Sequence, residues 1–488
     1  MQVKEFPKVE LPQIGPGVFD IRDFGAVSGG AVSNTAAINA AVKAANEAGG
    51  GKVVVPAGLW LTGPVELLSH VELRVERGAL LQFHKNLEEY PFVVTDYEGE
   101  QRIRTVSPIH AKNATDIAIT GDGVIDGNGH LWRPVKKSKL TEGQWEDFLA
   151  MGGAVGDDRR GEMVWYPSEG AKEAHANWQN RVLPTDPDWR EKAAAGYEFY
   201  RPVMVDLEWC TRVLIEDITL QNSPAWNLHP TFCEHVTIRR AFIRNDWFSQ
   251  NGDGLDLDSC RYVLIEDSRF DVGDDGICMK CGKNAVARQT IFPTEYVTIT
   301  GCTVYHGHGG FVVGSEMSRG VRHIKVDNCL FLGTETGIRF KSVPGRGGVV
   351  EDIEISNIRM IRIEGEAVIF TMGYHSWASR EGWAMEDIPE FKDVYIHDVV
   401  CEGAGTALYV LGLKELPIHD ITLENVRLTA KKGYSVKLAE NINVKNVTIV
   451  NENDPSDVIH FDNAVLKDGD FSSFNGEVWE GYAAKNGG

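Results

Sequence analysis

Asp274 and Asp275 stand side by side in the stretch VGDDGICMK, within a run that otherwise reads as a buried strand. Neighbours on a regular strand point to opposite faces. One of the two would then be a carboxylate in the core, which is costly unless it is paired. Gly273 and Gly276 bracket the pair, and a bulge or bend there can turn both carboxylates toward one cleft. Upstream, QNGDGLDLDSC brings Asn251, Asp253, Asp256 and Asp258. Downstream, YHGHGGFVVGSE brings His308, and GIRFKS brings Arg339 and Lys341. Clustered carboxylates cannot all ionise cheaply, so one is held protonated while another stays charged. An acid and a base side by side are what glycoside hydrolysis needs. Arg339 and Lys341 alternate along a strand and so share a face, where two cations suit an anionic sugar. This chemistry calls for no cofactor and no metal.

Residues so far apart in sequence act together only if the fold stacks them, and the chain repeats in a way that does so. From residue 212 a short phrase returns: alternating apolar residues, then Asp, Asn or Gly, then another apolar pair. Copies include RVLIEDITL, HVTIRRAFI, YVLIEDSRF and YVTITGCTV. Anchored on Ile215, Ile238, Ile265, Ile299, Val326, Ile355, Ile396, Ile421 and Val444, the gaps are 23, 27, 34, 27, 29, 41, 25 and 23 residues. A period that wanders this way marks a solenoid with variable loops and strands in register. Val, Ile, Thr and Phe dominate, so the strands are β. Propeller blades need about four strands per 40–45 residues. The shorter units here suit the coils of a parallel β-helix. Asp253 and Asp274 are 21 residues apart, about one coil, and residues one coil apart lie roughly 4.8 Å from each other. Turn-forming aspartates alone would explain any one motif, but not four on successive coils.

The stretch SNTAAINAAVKAANEAGGG reads as a helix with Ser33 or Asn34 as N-cap and Ile38, Ala41, Val42 and Ala45 on its apolar side. KVVVPAG follows as a strand. Residues 17–60 are thus expected to cap the open end of a solenoid that forms one domain over 1–488. Residues 133–200 break the repeat: they are charged and helix-prone, and with Trp132 just before them they bring Trp145, Trp165, Trp178 and Trp189. They read as an insertion between coils whose aromatics pack it onto the solenoid or stack on a sugar.

The net charge of -21 argues against nucleic acid or an anionic membrane as partner. A cleft lined by cations still admits a polyanion. Eight cysteines lie between Cys210 and Cys401, among them the Cys278–Cys281 pair of CMKC. The pattern favours buried free thiols, with Cys302 and Cys329 stacked in the same phase of neighbouring copies. The N-terminus lacks the apolar core of a signal peptide. The expected compartment is therefore cytoplasmic if Met1 is the native start, and secreted or periplasmic otherwise. The oligomeric state is not legible.

NGDGLDLD, GDDG, GHGG and RFK, in this order, resemble the four signature motifs of the polygalacturonase family of glycoside hydrolases, family 28. The likeness extends to FGAVSGGAVSNTAAINAAV near the start. It implies an all-β, right-handed parallel β-helix of the pectin lyase-like kind, and hydrolysis of α-1,4-linked galacturonate with inversion. Position by position, it implies Asp274 as general acid and Asp253 and Asp275 as the pair that activates water. His308 would support the acid's protonation, and Arg339 and Lys341 would bind substrate carboxylates. Gly252 stands where the family usually has Thr, and Phe340 where it usually has Ile. Alternatives are a hydrolase of another pectin backbone such as rhamnogalacturonan, a Ca²⁺-dependent lyase, and a carbohydrate-binding β-helix without catalysis. Asn251, with Trp226 and His229 of SPAWNLHP one coil before Asp253, are further candidate substrate contacts. The insertion before them is expected to wall off one end of the cleft. That points to exo attack, with release of single galacturonate units.

Overall fold

A computed structural model describes residues 5–290, 292–374 and 382–474; Met1, on which the expected compartment turns, lies outside them. The short β-branched runs form strands, and 34 of them join one sheet. Pairings between successive coils are parallel. Antiparallel pairing enters at the end, where Ala439–Asn451 meets Val458–Leu466. The chain forms two compact units. The first is Glu10–Asp256 with Asp271–Asp274; the second holds the described residues of Met1–Val9, Leu257–Phe270 and Asp275–Gly488.

In the first unit, Leu73, Ile119, Ile215 and Ile238 are successive partners in one column, all buried. In the second, Ile265, Ile299, Val326, Ile355 and Ile396 form the equivalent column, each at most 1% exposed. Burying one such side chain stabilises by roughly 1.5–3 kcal/mol, and every coil repeats it. The expected register holds through Ile396 and then slips. Leu423, not Ile421, faces Ile396, and Val444 follows Leu423. A slip of two residues keeps every side chain on its face, so alternation cannot reveal it. The cysteines are free and buried, and the Cys302 and Cys329 thiols hydrogen-bond along their stack.

The expected cap is the helix Thr35–Glu47, with Ile38, Ala41, Val42 and Ala45 buried. Asn34 is its N-cap residue but its side chain makes no cap bond. It accepts instead from the Val27 amide at 2.7 Å and donates to the Leu61 carbonyl at 3.0 Å, pinning the loop to the first coil.

The insertion departs from its helix-prone reading. It holds the helices Glu142–Ala150, Glu169–Ala176 and Trp189–Ala194, and also an antiparallel sheet in which Met163–Tyr166 lies between Val135–Lys136 and Ala154–Asp157. The run Val164–Trp165–Tyr166 has the β-branched and aromatic content that strands favour. Trp145 and Trp165 cluster with Val135 and Phe148, and Phe248 of a coil loop packs on them. Trp132 clusters with Tyr90 and Tyr197, and Trp189 meets Phe92 edge-on. Trp178 is the exception, 38% exposed. The hairpin Phe92–Tyr97 with Glu100–Thr105 has no counterpart in the sequence reading.

Candidate active site

In the second unit, the strands Asp275–Lys280, Gly309–Gly314 and Ile338–Lys341 lie side by side. Ile277, Phe311 and Ile338 are partners, as are Met279, Val313 and Phe340, and all are buried apolar residues. Phe340 stacks on Phe370 at 4.4 Å and meets Phe311 edge-on. Its departure from the family residue is therefore a matter of interior packing. Arg339 and Lys341 alternate with Phe340 and face outward.

Asp275 has the same parity as Ile277 and would point inward on a regular strand. A Cβ added to Gly276 would meet Val304 Cγ1 at 2.8 Å, on the inner side. Alternation therefore breaks at Gly276, and Asp275 is turned outward to the cations. Lys341 Nζ donates to Asp275 Oδ2 at 2.5 Å, and Arg339 Nη1 lies 3.7 Å from Oδ1. The expected bend is present. Asp275 is nonetheless 1% exposed and Lys341 4%. The cost of burial is met by pairing. Burial alone would pull the Lys341 ammonium down. The Asp275 carboxylate, with Tyr374 beside it, outweighs burial and holds Lys341 above its ordinary value.

His308 is half-buried, its Nε2 3.9 Å from Glu335 Oε2. Its carbonyl accepts from Thr336 Oγ1 at 2.8 Å and from Arg339 Nη1 at 3.3 Å. A Cβ on Gly310 would come within 2.4 Å of the Phe331 ring, which explains why GHGG carries glycine there. Two residues around this group had no motif to announce them. Tyr374 lies under both cations, its ring centroid 5.6 Å from the Arg339 guanidinium and 5.0 Å from Lys341 Nζ. Glu366 is 6% exposed, and burial holds its carboxyl above the usual range although Arg339 pulls the other way.

In the first unit, Asp253 and Asp274 bring carboxylate oxygens within 4.8 Å of one another. Asp253 is 3% exposed, and Asp274 is half-buried. Asp275 follows Asp274 by one peptide bond. Two carboxylates this close could bridge a divalent cation, whereas Asp275 already pairs with Lys341 and Arg339. Ser249 explains Gly252: its Oγ lies 1.9 Å from where a Gly252 Cβ would stand and 2.4 Å from that of Gly273. The two motif glycines thus let their loops close over one buried serine.

Asn251 is exposed, and its Oδ1 accepts from Arg201 Nη2 at 2.9 Å. Arg201 also donates Nη1 to the Pro224 and Gln250 carbonyls at 2.7 and 3.0 Å. It clamps the NGDG loop from beneath. Trp226 and His229 are 3% and 1% exposed. Trp226 stacks on Tyr97 at 4.4 Å. His229 lies edge-on to Tyr97, with Nδ1 3.5 Å from Asp206 Oδ1. Both are packed against Tyr97, a residue that no motif signalled because it lies on the hairpin.

Residues 187–454 match the family described as Glycosyl hydrolases family 28. Over 450 residues the chain is 25% identical to an exo-poly-α-D-galacturonosidase of Dickeya chrysanthemi, covering 89% of this chain and 71% of that protein. It is 26% identical over 416 residues to an endo-polygalacturonase of Pectobacterium carotovorum subsp. carotovorum, covering 83% of this chain and 86% of the other. A hyperthermoactive exopolygalacturonase structure from Thermotoga maritima superposes with a TM-score of 0.77 at 29% identity, over 95% of this chain and 97% of that one. The fold is the right-handed parallel β-helix. With the family match spanning more than half its length, the chain belongs to glycosyl hydrolases family 28.

Proposed function

We propose that the protein hydrolyses α-1,4 linkages of polygalacturonate and its oligomers, releasing galacturonate from a chain end with inversion. The observation that carries this reading is the carboxylate group itself. Asp253 and Asp274 approach within 4.8 Å, and the next residue, Asp275, is held by two cations. Asp275 is thereby kept ionised and acts as a base. Asp274, the more exposed of the three, is the acid that protonates the leaving oxygen, because crowded carboxylates raise one another's pKa. Asp253 and Asp275 are the pair assigned to activate the attacking water, as the family motifs imply. His308 supports the protonated state of Asp274, and Arg339 and Lys341 meet sugar carboxylates as the sugar enters.

Exo attack draws on the hairpin and the insertion, both in the unit that carries Asp253 and Asp274. The exo-acting relative and the exopolygalacturonase structure agree with it; the endo-acting relative does not. The test is polygalacturonate followed by reducing ends, ultraviolet absorbance and viscosity together. Reducing ends should rise with no new absorbance while viscosity falls slowly. Ultraviolet absorbance would indicate a lyase, and a rapid viscosity drop at low conversion would show endo attack.

A further inference from the structure

The hairpin Phe92–Tyr97 with Glu100–Thr105 pairs Val93 with Arg104, Thr95 with Arg102 and Tyr97 with Glu100. Paired residues share a face, so the hairpin has two distinct sides. On one, Ile103 packs with Ala193 and Tyr200, and Phe92 with Trp189 and Tyr197. That side rests on the insertion. The other side meets the coils. The Thr95 hydroxyl donates to Glu208, and Tyr97 stacks on Trp226. The Arg104 guanidinium lies 3.9 Å from the Tyr97 ring centroid, so Tyr97 is sandwiched between Trp226 and Arg104.

Arg104 and Asp253 share this neighbourhood, since Asn227, next to Trp226, donates its amide to the Asp253 carbonyl at 3.0 Å. Arg201 gives its donors to Pro224, Gln250 and Asn251. Burial, its largest influence, draws it down to about 9. Arg104 is different. Its Nε and Nη2 are buried and hydrogen-bond to nothing among the described residues. Buried cationic donors without an acceptor are costly, and a carboxylate takes two of them at once. Tyr97 fixes the guanidinium plane through its ring face. The hairpin precedes residues 187–454, so Arg104 lies outside the matched family region.

We propose that Arg104 binds the free carboxylate of the terminal sugar unit that is released, and so makes the enzyme select a chain end that carries no methyl ester. This rests on the exo-polygalacturonase reading. The test compares two trigalacturonides, one unmodified and one carrying a single methyl ester on the released unit. Wild type should favour the unmodified one by about thirtyfold or more in kcat/KM, the scale of one buried charge pair. R104Q should lose that much on the unmodified substrate, mainly through KM, and its preference should shrink to within about threefold. R104K should fall between, because it keeps charge without the bidentate fork. Circular dichroism and melting show whether each variant is folded. If R104Q does not fold, the wild-type preference and R104K decide. A folded R104Q that keeps the preference, or a wild type that lacks one, overturns the role of Arg104. A wild type that releases nothing from unmodified trigalacturonide overturns the exo reading itself.

Discussion

Replacing Lys341 by methionine should destabilise the protein far more than an ordinary surface change, and the structure sets the scale. Lys341 Nζ is 2.5 Å from Asp275 Oδ2, and their side chains are 5% and 1% exposed. At an effective dielectric of about 20, unit charges at that distance attract by roughly 6–7 kcal/mol. Desolvation offsets much of this, and removing one partner of a buried pair costs about 3–5 kcal/mol. In Lys341→Met, Asp275 loses its 2.5 Å partner, while Arg339 stands farther off, at 3.7 Å. Asp275→Asn leaves the Lys341 ammonium buried instead. The double variant leaves neither charge stranded and should be less destabilised than the sum of the singles by about 2–4 kcal/mol. Guanidinium midpoints of the four proteins at pH 7, compared at equal slope, measure this. Singles that add within about 0.5 kcal/mol would refute the pair as an energetic unit.

The same pair fixes a pH dependence. Lys341 is raised above its ordinary 10.5, so its contribution is complete below that value and is lost only as pH climbs through the raised one. The stability gap between wild type and Lys341→Met, measured by midpoints, should be flat between about pH 7 and 9 and close only in strong alkali. Asp274→Asn should cut kcat by about 10²–10⁴-fold or more with the melting temperature kept; retention of more than about a tenth of turnover would mean the acid is another residue. Gly310→Ala should cost about 1–3 kcal/mol in a denaturant titration, because its Cβ would press on the Phe331 ring at 2.4 Å; no loss would mean that strand is looser than described. Arg339→Ala should raise KM on polygalacturonate more than on a methyl-esterified substrate, and equal effects would argue against a carboxylate contact.

The β-helix was legible because each coil buries the same few apolar columns, so Ile215, Ile238, Ile265 and Ile299 announce themselves by type and spacing. The helix Thr35–Glu47 was legible through its periodic apolar face. The register at Ile421 was not, since Leu423 two residues on satisfies the same alternation. Motif spacing singled out Asp253 and Asp274, whose oxygens lie within 4.8 Å of each other, and Arg339 and Lys341, which flank Asp275; the paired glycines signalled the bend that turns Asp275 outward. It did not signal that Asp275 is buried, because burial follows from the pairing with Lys341, a contact 66 residues away along the chain. Tyr97 and Arg104 were invisible for another reason: they lie on a hairpin whose two faces acquire meaning only once the insertion and the coils pack on either side of it.

The most direct test of inverting hydrolysis is the anomeric form of the first galacturonate released, followed by proton NMR before mutarotation sets in. A water held and activated by Asp253 and Asp275, with Asp274 as acid, predicts that the β-anomer appears first from the α-linked substrate. The α-anomer appearing first would mean that a carboxylate attacks the sugar directly, and would contradict the account.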